Sequence, residues 1–331
     1  MLGGLLSLLS AVTFAYANAS VRRGVLTGSV LQAVGISLPV ALPIFILAML
    51  PTGGFGALAG FSTRSWLLLI IAGVIHFAWG RYCNYRATKA IGANLVAPVQ
   101  QYSLIITLVL AVLWLHEPLT LLRIFGIALV IAGPGLTLKR EKPVESEVPP
   151  ETPSETSFVP QYAEGYLYSL LSAVGFGLSP ILIGMAFERK GIAVGIAGGF
   201  VSYLAATAAL GLTLLLPGKW RDFRDIDRNT AKWFVISGIT VCISQMTRYM
   251  AISVAPVSVV SPIQRLSLVF RIYMGWWINP KHEVFGGRVV AGTIISLIGA
   301  VALSVSTDDL THMLALPAWL AGPLAWHWPV R

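Results

Sequence analysis

The stretch APVQQYSL begins at Ala97, and the similar stretch SPIQRLSL begins at Ser261. Proline, glutamine, serine and leucine occupy the same places in both octets, which lie 164 positions apart. Each octet lies inside a long apolar run, where polar side chains and a proline cost free energy unless they are compensated. Because the same costly segment occurs twice, we infer that the chain contains an internal duplication.

The composition around the octets is that of an α-helical membrane protein. Of the 331 residues, 56% are hydrophobic and only 11% are charged, and the mean hydropathy is +0.77. A soluble domain has about 25% charged residues. The apolar runs are continuous, which argues against a transmembrane β-barrel, whose strands alternate in polarity. We therefore predict an all-α polytopic membrane protein of the cell membrane, with the lipid bilayer as its surroundings.

Ten apolar windows of about the 20 residues that a helix needs to cross a bilayer are bounded by charge, glycine or proline. Five fall in a first unit, residues 1–138, and five in a second, residues 164–305. The linker between them, residues 139–163, is rich in Glu, Pro, Ser and Thr and is predicted to be flexible. The tail, residues 306–331, is interrupted by proline, and its three tryptophans favour an interfacial segment. The predicted spans are 2–20, 28–50, 65–86, 92–115, 120–138, 164–186, 192–216, 231–252, 256–278 and 285–305.

The self-match extends well beyond the octets. Tyr85 to Leu104 aligns without gaps on Tyr249 to Leu268, and the hexapeptide SLLSAV starts at both Ser7 and Ser169. Five spans per copy is an odd number, so the second copy is predicted to be inverted relative to the first, as in many secondary transporters. After a shift of two positions the match continues with Glu117 and Glu283, Gly126 and Gly292, and Gly133 and Gly299.

The sequence resembles the drug/metabolite transporter superfamily and, within it, the ten-span EamA-type carriers. The resemblance rests on YRATKAIGANLVAPVQQYSLIITLVLAVLWLHEPLTLLRIFGIALVIAG, which starts at Tyr85, and on its less faithful repeat from Tyr249. Its elements are the Ala-Pro opening of span four, a glutamate before span five and a glycine-marked last span. The resemblance implies ten transmembrane helices in two inverted five-helix repeats. It also implies a central cavity lined by spans three, four, eight and nine.

Polar side chains fall on those same four spans. Ionisable groups at membrane depth cost roughly 2.5–3.5 kcal/mol each on insertion scales, and they usually face a cavity or a partner. The repeat alignment pairs Gln101 with Arg265 and Arg81 with Gln245. We predict the following substrate-binding residues: Arg265, Gln264, Gln100, Gln101, Arg248, Gln245, Arg81, Trp79 and Tyr82.

Several of these residues have a purely structural alternative. Arg81 and Arg248 could extend to the membrane interface from span ends, and Gln100 and Gln264 could hydrogen-bond between packed helices. Arg271 is expected near the membrane edge. Glu283, which stands before span ten, is expected to cap the following helix.

All 14 acidic residues fall in loops, the linker, the tail or span ends by this interpretation. A carrier of organic cations would therefore lack a buried counter-charge. Arginine and glutamine instead suit carboxylate or phosphate groups. We predict a secondary transporter, an exporter, for a small anionic or zwitterionic metabolite such as an amino acid or organic acid. His76 is the candidate for proton coupling; a packed histidine and facilitated diffusion are the alternatives.

Other partners and functions find less support in the sequence. The net charge of +9 gathers at span ends, as membrane topology requires, so no nucleic-acid partner is expected. No metal, cofactor or catalytic residue is predicted, and the His-Glu pairs at His116 and His282 lack the second histidine of a zinc-protease motif. A channel, a scaffold and a homodimer remain alternatives. The positive-inside rule puts both termini outside, whereas the family arrangement puts both inside.

Overall fold

The computed structural model of the protein describes residues 2–115, 119–138, 159–187, 191–216, 225–254, 260, 263–304 and 327–328. Most of the predicted linker and tail lie outside these ranges, as do His116, Glu117 and the first two residues of the second octet.

Within the described residues the chain is helical, apart from one pair of two-residue strands. Strand β1 (Leu119–Thr120) pairs in antiparallel fashion with β2 (His327–Trp328). A π-helix (Val74–Gly80) lies between α5 and α6. The α-helices are α1 (Leu2–Val25), α2 (Val30–Ser37), α3 (Ala41–Thr52), α4 (Gly54–Ala59), α5 (Thr63–Gly73), α6 (Arg81–Ile91), α7 (Ala93–Val99), α8 (Tyr102–Leu115), α9 (Leu121–Leu138), α10 (Tyr162–Ala186), α11 (Ile192–Leu214), α12 (Arg228–Val254), α13 (Ser267–Ile278) and α14 (Gly287–Ser304).

In the described part of the chain, seven helical segments are long and apolar enough to cross a membrane. Two shorter apolar segments, Leu121–Leu136 and Gly287–Leu303, lie in α9 and α14. The prediction of an all-α, multi-pass membrane protein is therefore confirmed. The seven segments are Leu2–Val25, Val30–Thr52, Thr63–Ile91, Ala93–Leu110, Tyr162–Ala186, Ile192–Leu214 and Arg228–Val254.

Both octets interrupt a helix that the sequence predicts as continuous. In the first, α7 ends at Val99 and α8 begins at Tyr102, and the Gln101 N–H donates to the Pro98 carbonyl three residues back (3.1 Å). In the second, the Leu266 N–H donates to the Ile263 carbonyl (3.1 Å) just before α13. Pro98 lies inside α7, just before the first break.

The π-helix coincides with a one-residue difference between the two copies. From Tyr85 onward the copies align 164 positions apart, but Gly73 corresponds to Gly238, 165 positions on. Both glycines allow close packing, since a Cβ at Gly73 would lie 2.2 Å from the Ser202 carbonyl oxygen and one at Gly238 would lie 2.9 Å from the Ser37 Cα. The first copy thus has one additional residue between Gly73 and Tyr85, and a π-helix accommodates such an insertion.

The residues that cap the starts of α5 and α12, upstream of these two glycines, have the same spacing of 165 positions. Ser62 accepts a hydrogen bond from the Ser65 N–H (3.2 Å) at the start of α5. Asp227 accepts one from the Thr230 N–H (3.1 Å) at the start of α12. These caps also lie 165 positions apart, so the insertion falls within the helix and not before it.

The close contact of α9 with α14 depends on glycine. A Cβ at Gly126 would lie 2.9 Å from the Gly299 carbonyl oxygen, and one at Gly133 would lie 2.7 Å from the Gly292 carbonyl oxygen. As the chain advances along α9, its contacts move backward along α14, so the two helices are antiparallel. Small residues at such positions let helix backbones approach closely within a membrane.

One end of the bundle is held by a buried ion pair. Arg22, in the last turn of α1, donates to the carbonyls of Thr88 (2.9 Å), Lys89 (2.9 Å) and His282 (2.6 and 3.1 Å). Its Nε lies 3.8 Å from Glu283, and both side chains are fully buried. The loops after α1, α6 and α13, which meet here, are called the Arg22 end below.

Glu283 caps a different helix from the one expected. Its carboxylate accepts from the N–H groups of Ala93 (2.8 Å) and Asn94 (3.0 Å), so it caps α7 in the first half and not the following helix, α14. Gly92 makes room, because its φ is +82° and a Cβ there would lie 2.6 Å from the carboxylate. Burial raises the pKa of Glu283, while Arg22 and the two N–H groups act in the opposite direction.

Candidate functional site

A cavity of about 650 Å³ lies where the two interrupted segments meet. This volume falls within the range of small-molecule sites, roughly 300–1,000 Å³. Its wall combines α1, the π-helix, α8, α9, α10, α12, α13 and α14 with the turns of both octets. Six of the nine predicted binding residues line it, together with His76: Gln100, Gln101, Gln245, Arg248, Gln264 and Arg265.

Two positions that the repeat alignment pairs are in contact within this cavity. The Arg265 Nη1 donates to the Gln101 Oε1 at 3.4 Å. Phe14 and Phe176, which align when SLLSAV is superposed on its second copy, also both line the wall. The position where the octets differ in charge therefore lies inside the cavity and between the two halves of the chain.

Three arginines of the wall, Arg248, Arg265 and Arg271, each have a buried Nε without a hydrogen-bond partner among the described residues. Arg248 donates to the Gln245 Oε1 at 3.4 Å, which is a long contact for an N–H···O hydrogen bond. Among the residues that the structure describes, the buried wall atoms without a hydrogen-bond partner are all nitrogen donors. They are the Nε atoms of Arg248, Arg265 and Arg271 and the Nε2 of Gln264.

Gln100 has a structural partner as well as a place in the wall. Its amide nitrogen donates to the Asn84 Oδ1, and the Asn84 amide donates in turn to the Asn18 Oδ1 (3.3 Å). Asn18 completes the series with a bond to the Phe14 carbonyl (2.7 Å). This series of amides connects the first octet with α6 and α1, so Gln100 also serves the packing role that the sequence left open.

His76 is buried against the cavity wall. Its Nδ1 lies 2.6 Å from the Ser179 Oγ, and its ring contacts those of Phe77 and Phe176, each with a centroid distance of 4.6 Å. This environment is that of a packed, hydrogen-bonded histidine. A role in proton coupling stays a prediction.

The remaining predicted residues, Arg81, Trp79 and Tyr82, do not line the cavity. Arg81 donates to the Tyr203 hydroxyl and borders a small space of about 10 Å³ that shares His76 and Gln245, among others, with the cavity wall. Trp79 is 52% exposed, and the Tyr82 hydroxyl accepts from Arg86 at 3.3 Å. The physical reason is the π-helix, because a helix face counted at 3.6 residues per turn does not continue across it.

Two arginines of the wall were not predicted as binding residues. Arg271, which was expected near the membrane edge, is only 3% exposed and lies 4.9 Å above the Phe14 ring. Its depth in the membrane stays a prediction. Its spacing was a usable signal: Gln264, Leu268 and Arg271 follow at intervals of four and three, and all line the cavity. Arg123, at the start of α9, is the second addition.

Acidic side chains are absent from the described wall. The four acidic residues within the described ranges lie elsewhere. Glu164 pairs with Arg86 at 2.7 Å, and Glu283 lies at the Arg22 end. The other two, Asp225 and Asp227, precede α12. The described cavity wall therefore carries positive charge without a carboxylate of its own.

The comparisons with known proteins agree with this architecture. Residues 1–138 match the model of the EamA-like transporter family. Over these residues the chain is similar to that family. The resemblance predicted from the sequence is thereby confirmed, and the EamA-like family is one of transporters, which supports the prediction that this protein is not an enzyme.

Solved structures of other proteins have a similar fold over nearly the whole chain. One, described as "Crystal structure of protein", has a TM-score of 0.59 and 18% identity, over 95% of this chain and 98% of its own. Altogether 25 chains of solved structure match. No curated protein matches.

Proposed function

We propose that this protein is a secondary transporter that moves a small anionic or zwitterionic metabolite through the cavity by alternating access. The observation that carries the proposal is the set of buried, unpartnered N–H donors on the described wall. Guanidinium groups bind carboxylate and phosphate in a bidentate geometry. A ligand with acceptor oxygens would satisfy donors that have no partner among the described residues.

Ten transmembrane helices in two inverted repeats are part of this proposal. The α9–α14 contact supports them, because the repeat alignment exchanges its two glycine pairs: Gly126 with Gly299 becomes Gly292 with Gly133. A symmetry that exchanges two antiparallel helices has its axis perpendicular to them, and such an axis lies in the membrane plane if the helices span it. The contact between Gln101 and Arg265 is likewise between repeat-related positions, as expected at the axis.

The wider packing is duplicated in the same way. Helix α1 packs against α12 and α13, and its aligned counterpart α10 packs against α5, the π-helix, α6 and α8. The copy boundaries predicted from the sequence, residues 1–138 and 164–305, fit this arrangement. With α2 and α3 counted as one span, each half contains five apolar segments.

A difference between the two ends of the bundle supports the proposal of alternating access. Superposing SLLSAV on its second copy places Gly184 at the position of Arg22. Arg22 holds its end of the bundle together, whereas Gly184 lines the cavity. We infer that the cavity opens at the end opposite Arg22 and that transport exchanges which end is closed.

Export and the coupling of transport to protons through His76 are also proposals, and so is the orientation of the protein in the membrane. By the positive-inside rule, Arg22, Arg23, Arg86 and Lys89 would place the Arg22 end in the cytoplasm of an exporter in the cell membrane. The family arrangement would place it outside. A C-terminal tag probed from each side of sealed vesicles decides between the two orientations.

Counterflow in proteoliposomes tests the proposed function. Vesicles with the full chain are preloaded with one metabolite of a panel of organic acids and amino acids, and uptake of the labelled metabolite is followed. We expect uptake that saturates and that requires the internal solute, with empty vesicles as the control. Uptake that is independent of internal solute and does not saturate would instead indicate a channel, and no uptake of any solute would contradict transport.

A further inference from the structure

The cavity wall indicates how much negative charge its solute carries. We propose that the transported solute has at least two negative charges, as a dicarboxylate or a phosphate monoester does. This inference rests on the proposed function, because it describes the ligand of the same cavity. It narrows the substrate class by disfavouring zwitterionic amino acids, whose positive group would find no carboxylate on the described wall.

Four arginines line the cavity, but two of them set the minimum charge. Arg271 lies over the Phe14 ring and within electrostatic reach of Glu283, so part of its charge is balanced by the protein. Arg123 lies at the start of α9 and has further interactions of its own. The remaining pair, Arg248 and Arg265, therefore decides what the ligand must supply.

Both of these guanidinium groups contact neutral amides. Arg248 donates to Gln245 and Arg265 to Gln101, in each case through Nη1 and at 3.4 Å. In each case the Nε is buried and has no partner among the described residues. A buried charge without an opposite charge is strongly unfavourable, and one anionic group per guanidinium removes that cost. Because Arg248 and Arg265 both lack an opposite charge among the described residues, we expect the solute to supply two negative charges.

A zwitterion matches the wall less well than a dianion does. An ammonium group is a donor and needs acceptor oxygens. The amide oxygens of Gln101 and Gln245 already accept from the two arginines, and the unpartnered buried wall atoms are donors. An ammonium group would also lie in the field of like charges. A second carboxylate or a doubly charged phosphate meets neither obstacle.

The repeat alignment shows that the charge comes from one half of the protein. Arg248 and Arg265 both belong to the second copy, and the first copy has Asn84 and Gln101 at the aligned positions. The two anionic groups would therefore contact the second half, while the first half offers uncharged amides such as Gln100. This asymmetry would fix one orientation of the solute in a cavity built from similar halves.

A charge series on the purified full chain tests the inference. Binding is measured by thermal unfolding at constant ionic strength with butyrate (one charge), succinate (two carboxylates), glycerol 3-phosphate (a phosphate monoester) and glutamine (a zwitterion). We expect succinate or glycerol 3-phosphate to bind at least ~10-fold more tightly than butyrate and glutamine, a difference of about 1.4 kcal/mol. The two dianions distinguish a dicarboxylate site from a phosphate site.

Variants that remove one positive charge test whether Arg248 and Arg265 cause the preference for dianions. Arg248→Gln and Arg265→Gln each retain a donor and remove one charge, and each should reduce dianion affinity by ~10-fold or more and weaken the discrimination against butyrate. Arg64→Gln, at an exposed arginine outside the cavity, is the matched control. Unchanged dianion affinity in both cavity variants would overturn the inference.

The outcomes separate this inference from the proposed function. If glutamine or butyrate binds as tightly as the dianions and shows saturable counterflow, the requirement for two charges is wrong and transport stands. If no solute of either panel binds or shows counterflow, the proposed function itself is wrong.

Discussion

Two regions of this protein bury arginine inside a helical bundle, and they differ in how many hydrogen-bond and charge partners the guanidinium group has. At the Arg22 end, the guanidinium donates to three backbone carbonyls and faces a buried carboxylate. In the cavity, Arg265 has one amide oxygen at 3.4 Å and an unpartnered Nε. The saturated arginine connects α1, α6 and the loop after α13, so it serves the fold. The unsaturated arginines retain hydrogen-bonding capacity for a ligand.

The largest change in stability is expected at the Arg22 end. Arg22→Met leaves Glu283 buried without its counter-charge and should lower the free energy of unfolding by about 3–5 kcal/mol. Thermal unfolding of the detergent-purified protein measures the effect, with Arg64→Met as an exposed control. Equal melting temperatures for the two variants would contradict the structural role of this ion pair.

A smaller loss is expected at the contact of α9 with α14. Gly133→Leu forces a side chain against Ser296 and the Gly292 carbonyl and should cost about 1–3 kcal/mol by overpacking. Gly135→Leu is the matched control in the same helix, since a Cβ at Gly135 meets nothing within 4 Å. If both variants melt at the same temperature, the close helix contact is not as described.

The half-exposed ion pair near the Arg22 end should contribute least among the charged contacts. Arg86 and Glu164 are 2.7 Å apart, but their side chains are 41% and 35% exposed, so solvent screens the attraction. Arg86→Ala should change stability by less than about 1 kcal/mol, even with its contacts to Tyr82 and Tyr168 lost. A loss of unfolding free energy as large as that of Arg22→Met would contradict the account, because it would show that the exposed pair stabilises the protein as much as the buried pair does.

Removing charge from the cavity should leave stability almost unchanged. Arg265→Gln removes a buried charge that no described carboxylate balances, so the melting temperature of the ligand-free protein should stay the same or rise. A marked fall in melting temperature would indicate that Arg265 serves the fold in the way that Arg22 does. A comparison of the melting temperatures of Arg22→Met and Arg265→Gln therefore distinguishes an arginine that stabilises the fold from one that binds the ligand.

Much of the fold could be predicted because its signal is local. Apolar length indicated the membrane helices, and the repeated octets indicated where polar groups converge. Gln100, Gln264 and Arg265, which line the cavity, were identified in this way, since a polar residue is conspicuous in an apolar run. The charge imbalance along the spans predicted an anionic solute, which stays a prediction.

The features that could not be predicted depend on contacts between residues that lie far apart in the sequence and on the local helix type. The ion pair of Arg22 and Glu283 joins residues 261 positions apart, and nothing in either local sequence indicates the other. The π-helix displaced Trp79 and Tyr82 from the expected face, because one inserted residue changes the phase of every later position. A comparison of the two copies upstream of Tyr85 contains that signal, in the change of their spacing from 165 to 164.

The most direct test of the central claim is counterflow by Arg265→Ala in proteoliposomes. If Arg248 and Arg265 bind the transported solute, the variant should insert at the wild-type level, keep its melting temperature and lose saturable uptake. Full transport activity in Arg265→Ala at equal insertion would contradict the assignment of this cavity as the substrate site.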